Sequence, residues 1–132
     1  MKGDHGVVGA MHGAWGEVMG TRLPLYHYVP YGVLPPYGVL TLTHMGVGNG
    51  LPSPHFKTRG TFTIKIWSAY EGMAEISDLV GQASAFWEGR KIELGTGFLW
   101  CEVKGTTFEG QQAGAKKLWR EGCVEGVFIL CL

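Results

Sequence analysis

Strict two-residue alternation passing at once into a helical stripe constrains this chain more than any other feature. In Thr61-Phe62-Thr63-Ile64-Lys65-Ile66, successive side chains must point to opposite sides of a sheet. Phe62, Ile64 and Ile66 therefore share one face, and Thr61, Thr63 and Lys65 the other. This predicts a half-buried, antiparallel strand over 58–67, with Trp67 at the end of the polar face. After a short turn, Ile76, Leu79, Val80, Ala83 and Trp87 recur at three- and four-residue spacings, which predicts an amphipathic helix over about 72–88. Glu71, Glu75 and Asp78 suit the positive end of that helix, and Gly89 suits the position just past its C-terminus.

The rest of the chain is read around this unit. Its 132 residues can bury one core, so a single domain over 1–132 is expected. Val8, Met11, Trp15, Val18 and Met19 have helical spacing, but Gly3, Gly6, Gly9, Gly13, Gly16 and Gly20 each cost a helix interior about 1 kcal/mol against alanine. The first helix is therefore expected to be weak. Strands are expected at 25–29, stopped by Pro30, at 37–44, led in by Pro35-Pro36, and at 98–103 and 123–130, with a polar segment at about 104–117 between the last two. The glycine- and proline-rich stretch 45–57 reads as a loop. This order predicts an α+β fold: a mostly antiparallel sheet of about five strands, one main amphipathic helix and a weak N-terminal helix. The 22 glycines, more than twice the usual ~7 %, have no repeat period and read as tight turns.

Composition and motif spacing exclude several functions. Eleven acidic and eleven basic residues are spread along the chain, so no run argues for sequence-specific nucleic-acid binding or an acidic membrane. Met1-Lys2-Gly3-Asp4-His5 lacks a following apolar core, so no signal peptide is expected, and no apolar run reaches the ~20 residues that span a bilayer. Cys101, Cys123 and Cys131 are odd in number and lie in apolar runs, which reads as buried free thiols in a reducing cytosol. Gly46-Val47-Gly48-Asn49-Gly50-Leu51 lacks the third glycine of a dinucleotide fingerprint and the Lys-Ser/Thr of a P-loop, so it reads as a plain loop. His5, His12, His27, His44 and His55 show no metal-ligand spacing. Glu71, Glu75 and Asp78 sit where a helix start ordinarily carries acid, and no neighbouring charge activates Cys101 or Cys123. No catalytic residue, metal or cofactor is expected, and the chain does not read as an enzyme.

An apolar surplus remains. Val127, Ile129 and Cys131 fall on one face of the last strand and Phe128, Leu130 and Leu132 on the other, so it wants burial on both sides. Phe98, Trp100 and Trp67 add large side chains opposite their strands' other apolar residues. One good helix covers one face; the other has either the glycine-rich helix or a neighbouring subunit to cover it.

A family resemblance lies in Leu25-Tyr26-His27-Tyr28-Val29-Pro30, then Leu34-Pro35-Pro36-Tyr37-Gly38-Val39-Leu40, then Thr58-Arg59-Gly60-Thr61-Phe62-Thr63-Ile64-Lys65-Ile66-Trp67-Ser68 with the helix after it. This order resembles the tail-terminator (tail completion) family of long-tailed bacteriophages and gene transfer agents, across about residues 8–131. A proline-tyrosine-valine lead into one strand, a strand ending in tryptophan-serine and an amphipathic helix are the family's pattern. The short, glycine-rich first helix and the long loop at 45–57 depart from it.

The resemblance implies a structural virion protein that forms a homo-oligomeric ring, usually of six copies. Such a ring caps the tail tube, ends its polymerisation and joins the tail to the head-tail connector. The implied partners are the chain itself, the tail tube protein and connector proteins. No membrane is involved, and DNA can pass through the ring. The implied location is the head-proximal end of the tail in the virion, with assembly in the host cytoplasm. Expected interface residues are Trp67, Trp100, Phe98 and Phe128 on the sheet and Asn49, Leu51 and His55 in the 45–57 loop. The alternatives are another neck or minor tail ring protein or, in a different class, a small ligand-binding domain or enzyme with an aromatic pocket built from Trp67, Trp100 and Tyr70.

Overall fold

The computed structural model describes residues 3–20, 22–47, 57–69, 72–95, 97–109 and 120–131. They form two helices, α1 (Gly3–Met19) and α2 (Ala74–Trp87), and six strands: β1 (Leu25–Tyr26), β2 (Tyr37–Val47), β3 (Lys57–Ser68), β4 (Arg90–Glu93), β5 (Phe98–Glu109) and β6 (Arg120–Cys131). The strands make one sheet in the order β1-β2-β3-β6-β5-β4. All neighbours are antiparallel except β1, which runs parallel to β2. The sheet is therefore mixed and six-stranded. The strand missed in the sequence is β4, where Arg90, Lys91 and Glu93 mask the alternation and only Ile92 and the following Leu94 turn inward. β5 also runs on to Glu109 past a register shift between Val103 and Gly105, well into the segment expected to be a polar connection.

The alternation in β3 holds along its length: Thr58, Gly60, Phe62, Ile64, Ile66 and Ser68 are buried, while Lys65 is exposed and Thr61, Thr63 and Trp67 are half-buried. Both helices pack on the buried side. On α2, Ile76, Leu79, Val80, Ala83, Phe86 and Trp87 are buried. Gly89 follows with φ +69°, a left-handed conformation that glycine adopts without strain. The Ser68 hydroxyl donates to the Glu75 carboxylate, tying the end of β3 to the start of α2.

The first helix forms because its apolar face outweighs its glycines. Val7, Met11, Trp15 and Met19 follow at strict four-residue intervals, and all are buried. At about 1.5–3 kcal/mol each, burial of four such side chains exceeds the roughly 1 kcal/mol that each of Gly6, Gly9, Gly13 and Gly16 costs on the exposed side. Trp15 carries most of the docking. Its ring stacks on Trp87 with centroids 5.9 Å apart, meets Phe86 edge-on at 4.9 Å, and its Nε1 donates to Leu23 O at 2.8 Å. Val18, expected on the packed stripe, points to solvent. The helix touches β1, β2 and β4, so the two outermost strands both lie against it.

Several glycines sit mid-strand rather than in turns, facing the core. Gly60 pairs with Phe128 and Phe62 with Gly126 across the β3–β6 ladder. A Cβ on Gly60 would overlap the Phe128 ring and the Thr43 carbonyl, and one on Gly126 would overlap the Phe62 ring and the Glu102 carbonyl. Each phenylalanine thus lies over a glycine of the neighbouring strand, and the two missing side chains make the room for two rings.

Candidate assembly surfaces

Because both helices share one side of the sheet, the other side carries no helix or strand among the described residues. The ladder registers fix what lies there. At one end, Tyr37 pairs with Trp67, and their rings sit 5.3 Å apart; Tyr26 adds a third ring 6.0 Å from Tyr37. At the other end, Trp100 lies between Ile129 and Lys91, and Phe98 between Cys131 and Glu93. Lys91 Nζ stands 4.7 Å over the Phe98 ring, and Trp100 Nε1 donates to Glu102 at 3.0 Å. The middle is mostly polar, with Thr41, Thr63 and Glu125 in one row and Thr43, Thr61 and Val127 in the next.

The two aromatic ends are separate. Trp67 and Arg59 stand eight positions apart on β3, roughly 26 Å at ~3.3 Å per residue, and the Arg59 row contains Ile129 and Trp100. Trp67 and Trp100 therefore cannot line one pocket, which removes the geometry that an aromatic binding site would need. Tyr70 lies outside the described residues, as do Asn49, Leu51 and His55. Trp67, Trp100 and Phe98 are half-buried on the helix-free face. Phe128 is not on that face: it is fully buried on the helix side over Gly60. The parity of β6 already separates Phe128 from Val127 and Ile129.

Among the described residues the buried cysteines are not activated thiols. Burial pushes the Cys101 thiol up to about 12 despite the pull of Arg90, and Cys123 is raised by burial and by Glu125, so neither is an activated nucleophile. All three cysteines are free. Asp78 accepts from Gln82 at 2.6 Å and Gln82 in turn from Arg22 at 2.7 Å, a surface chain linking the segment after α1 to α2. Among the described residues no three His, Cys, Asp or Glu side chains converge on a metal position, and no helix is long and apolar enough to cross a membrane.

A second apolar surface was not read from the sequence. Residues 27–36 connect β1 to β2, and in this connection Tyr28 is 82 % exposed, Leu34 68 % and Tyr31 completely. The signal was available: residues 23–56 contain no Asp, Glu, Lys or Arg.

No protein-family model matches the chain, and no curated protein matches it. Among solved structures, the fold is similar to that of a chain in the virion of a native gene transfer agent particle, with a TM-score of 0.63 and 15 % identity over 94 % of this chain and 97 % of that one.

Proposed function

We propose that this chain is a structural virion protein that assembles with copies of itself into a ring at the head-proximal end of a tail, caps the tail tube, ends its polymerisation and joins it to the head-tail connector. The observation that carries the reading is the shared fold, over nearly the whole of both chains, with a component of a gene transfer agent virion. Two features support it. The helix-free sheet face keeps Trp67, Trp100 and Phe98 partly exposed at its two ends, as a chain meant to be covered by others would. Burial raises the Cys101 and Cys123 thiols, an environment suited to packing rather than to a nucleophile. In this reading the helix-free face meets a neighbouring copy, six copies close the ring, and the partners beyond it are the tube and connector proteins.

The test is to add the purified chain to polymerising tube protein of its own particle. Tubes of limited length carrying a ring at one tip are expected. Tubes of unchanged length, with the chain instead attached to isolated connectors, would assign it to the neck.

A further inference from the structure

The connection between β1 and β2 has the makings of a rigid knob. Val33 N donates to Pro30 O at 3.4 Å and Gly32 has φ +86°, the geometry of a type II turn, which holds Tyr31 at its outermost corner. Interface centres are depleted of charge and enriched in tyrosine, and a tyrosine already fixed on a turn loses little freedom on docking. Residues 23–56 also lack the lysines and arginines that anchor a segment to a membrane surface, so the chemistry of the loop suits a protein partner.

The same chain carries a matching hole. Between α1 and β4 lies a groove of about 470 Å³. Gly13 and Ala14 from the helix and Ile92 and Leu94 from the strand give it small and apolar walls. A Cβ placed on Gly13 would meet nothing within 4 Å, so the space beside it is open to a ring. The charged residues that line it balance in sign, Glu17 and Glu93 against Arg90 and Lys91, and a phenol hydroxyl can donate to the acids or accept from the bases. The loop brings no charge of its own to oppose either. Among the described residues β4 pairs with β5 alone and forms the sheet edge at the opposite end of the strand order from β1.

We propose that Tyr31, flanked by Tyr28 and Leu34, inserts into the α1–β4 groove of a neighbouring copy of this chain. Knob and hole are different surfaces of one molecule, so the contact is heterologous: each copy in a chain of contacts offers one and fills another, and the series closes when the rotation permits. The inference rests on the self-association proposed above and adds a second contact to the one on the helix-free face.

The test uses the full chain with Tyr31→Cys and Gly13→Cys made separately. Mild oxidation of the equimolar mixture should give a disulfide dimer mapped to these two positions, and neither variant alone should give it. Gly13→Leu, which fills the groove and favours the helix, should leave the melting temperature unchanged or higher while weakening self-association at least tenfold. A dimer from Tyr31→Cys alone would replace the proposal with a symmetric loop-to-loop contact. Native chains that assemble with no Tyr31–Gly13 cross-link would reject this contact and leave the ring standing. Native chains that stay monomeric at every concentration and beside the tube would reject both. Binding to lipid vesicles that Tyr31→Ser abolishes would overturn it in favour of a membrane.

Discussion

The two faces of the sheet are built from the same strands by opposite rules. On the helix side Leu40, Phe62, Ile64, Ile66, Val124 and Phe128 are buried almost completely, and glycines at 60 and 126 leave room for the phenylalanine rings. On the other side large apolar residues gather at two ends, separated by threonines, a glutamate and Val127, and among the described residues no helix lies over them. On β3, residues of opposite parity therefore answer to different partners: Ile64 to its own chain, Trp67, three positions on, to whatever covers the sheet. One face holds the fold and the other is left for association.

The largest effect that would break this division is a charge on the helix side. Ile64→Asp places an unpaired carboxylate in the core, at a cost of several kcal/mol out of a typical total of about 5–15, and circular dichroism should show an unfolded chain. A folded Ile64→Asp variant would mean that the helix side is not the core. Next is Gly126→Ala, whose methyl would meet the Glu102 carbonyl as well as the Phe62 ring, so rotation of the ring alone cannot relieve it. Urea unfolding should show a loss of about 1–3 kcal/mol. Gly9→Ala, at an exposed site on α1 with nothing within 4 Å, should change stability in the opposite direction, by about 1 kcal/mol.

Trp67→Glu sharpens the comparison from the other face. Its effect on the isolated chain should be under about 1 kcal/mol, as for a partly exposed site, while sedimentation should show self-association lost. If it unfolds the chain as thoroughly as Ile64→Asp, the two faces are not different in kind.

The smallest expected effect is in the pH dependence of the α1 seam. His12 is partly buried, donates to the backbone of Leu25 and keeps its Nε2 without a partner among the described residues. Burial, then the nearby His27, lower its pKa from the ordinary value of 6.5. The folded state thus holds the neutral form and the unfolded state takes up the proton more readily, so the contribution is present above pH 6.5 and is lost as pH falls below it. The urea midpoint should drop between pH 7.5 and 5, and drop less in His12→Asn. An equal drop in both would place the titrating group elsewhere.

What the sequence made legible follows from period. The β3 alternation and the α2 stripe were strong enough to assign both the elements and their buried faces, and β6 was read with the correct parity. What was not legible depended on contacts far along the chain. α1 was expected to be weak because glycine costs are local, whereas Trp15 draws its stability from Trp87 and Phe86. β4 was missed because three charged residues in a four-residue edge strand leave no pattern. The core glycines were read as turns because nothing local shows that the residue opposite, one strand away, is a phenylalanine. That both helices share one face could not be read at all, since periodicity assigns a helix its buried side but not the side of the sheet it chooses.

The most direct test of the central claim is hydroxyl-radical footprinting of the chain free and assembled, read residue by residue. Trp67, Trp100 and Tyr31 should be labelled in the free chain and protected on assembly, while Trp15 and Trp87 stay unlabelled in both states. Assembly that leaves Trp67 and Trp100 labelled as before would contradict the claim that the helix-free face is where this protein meets its neighbours.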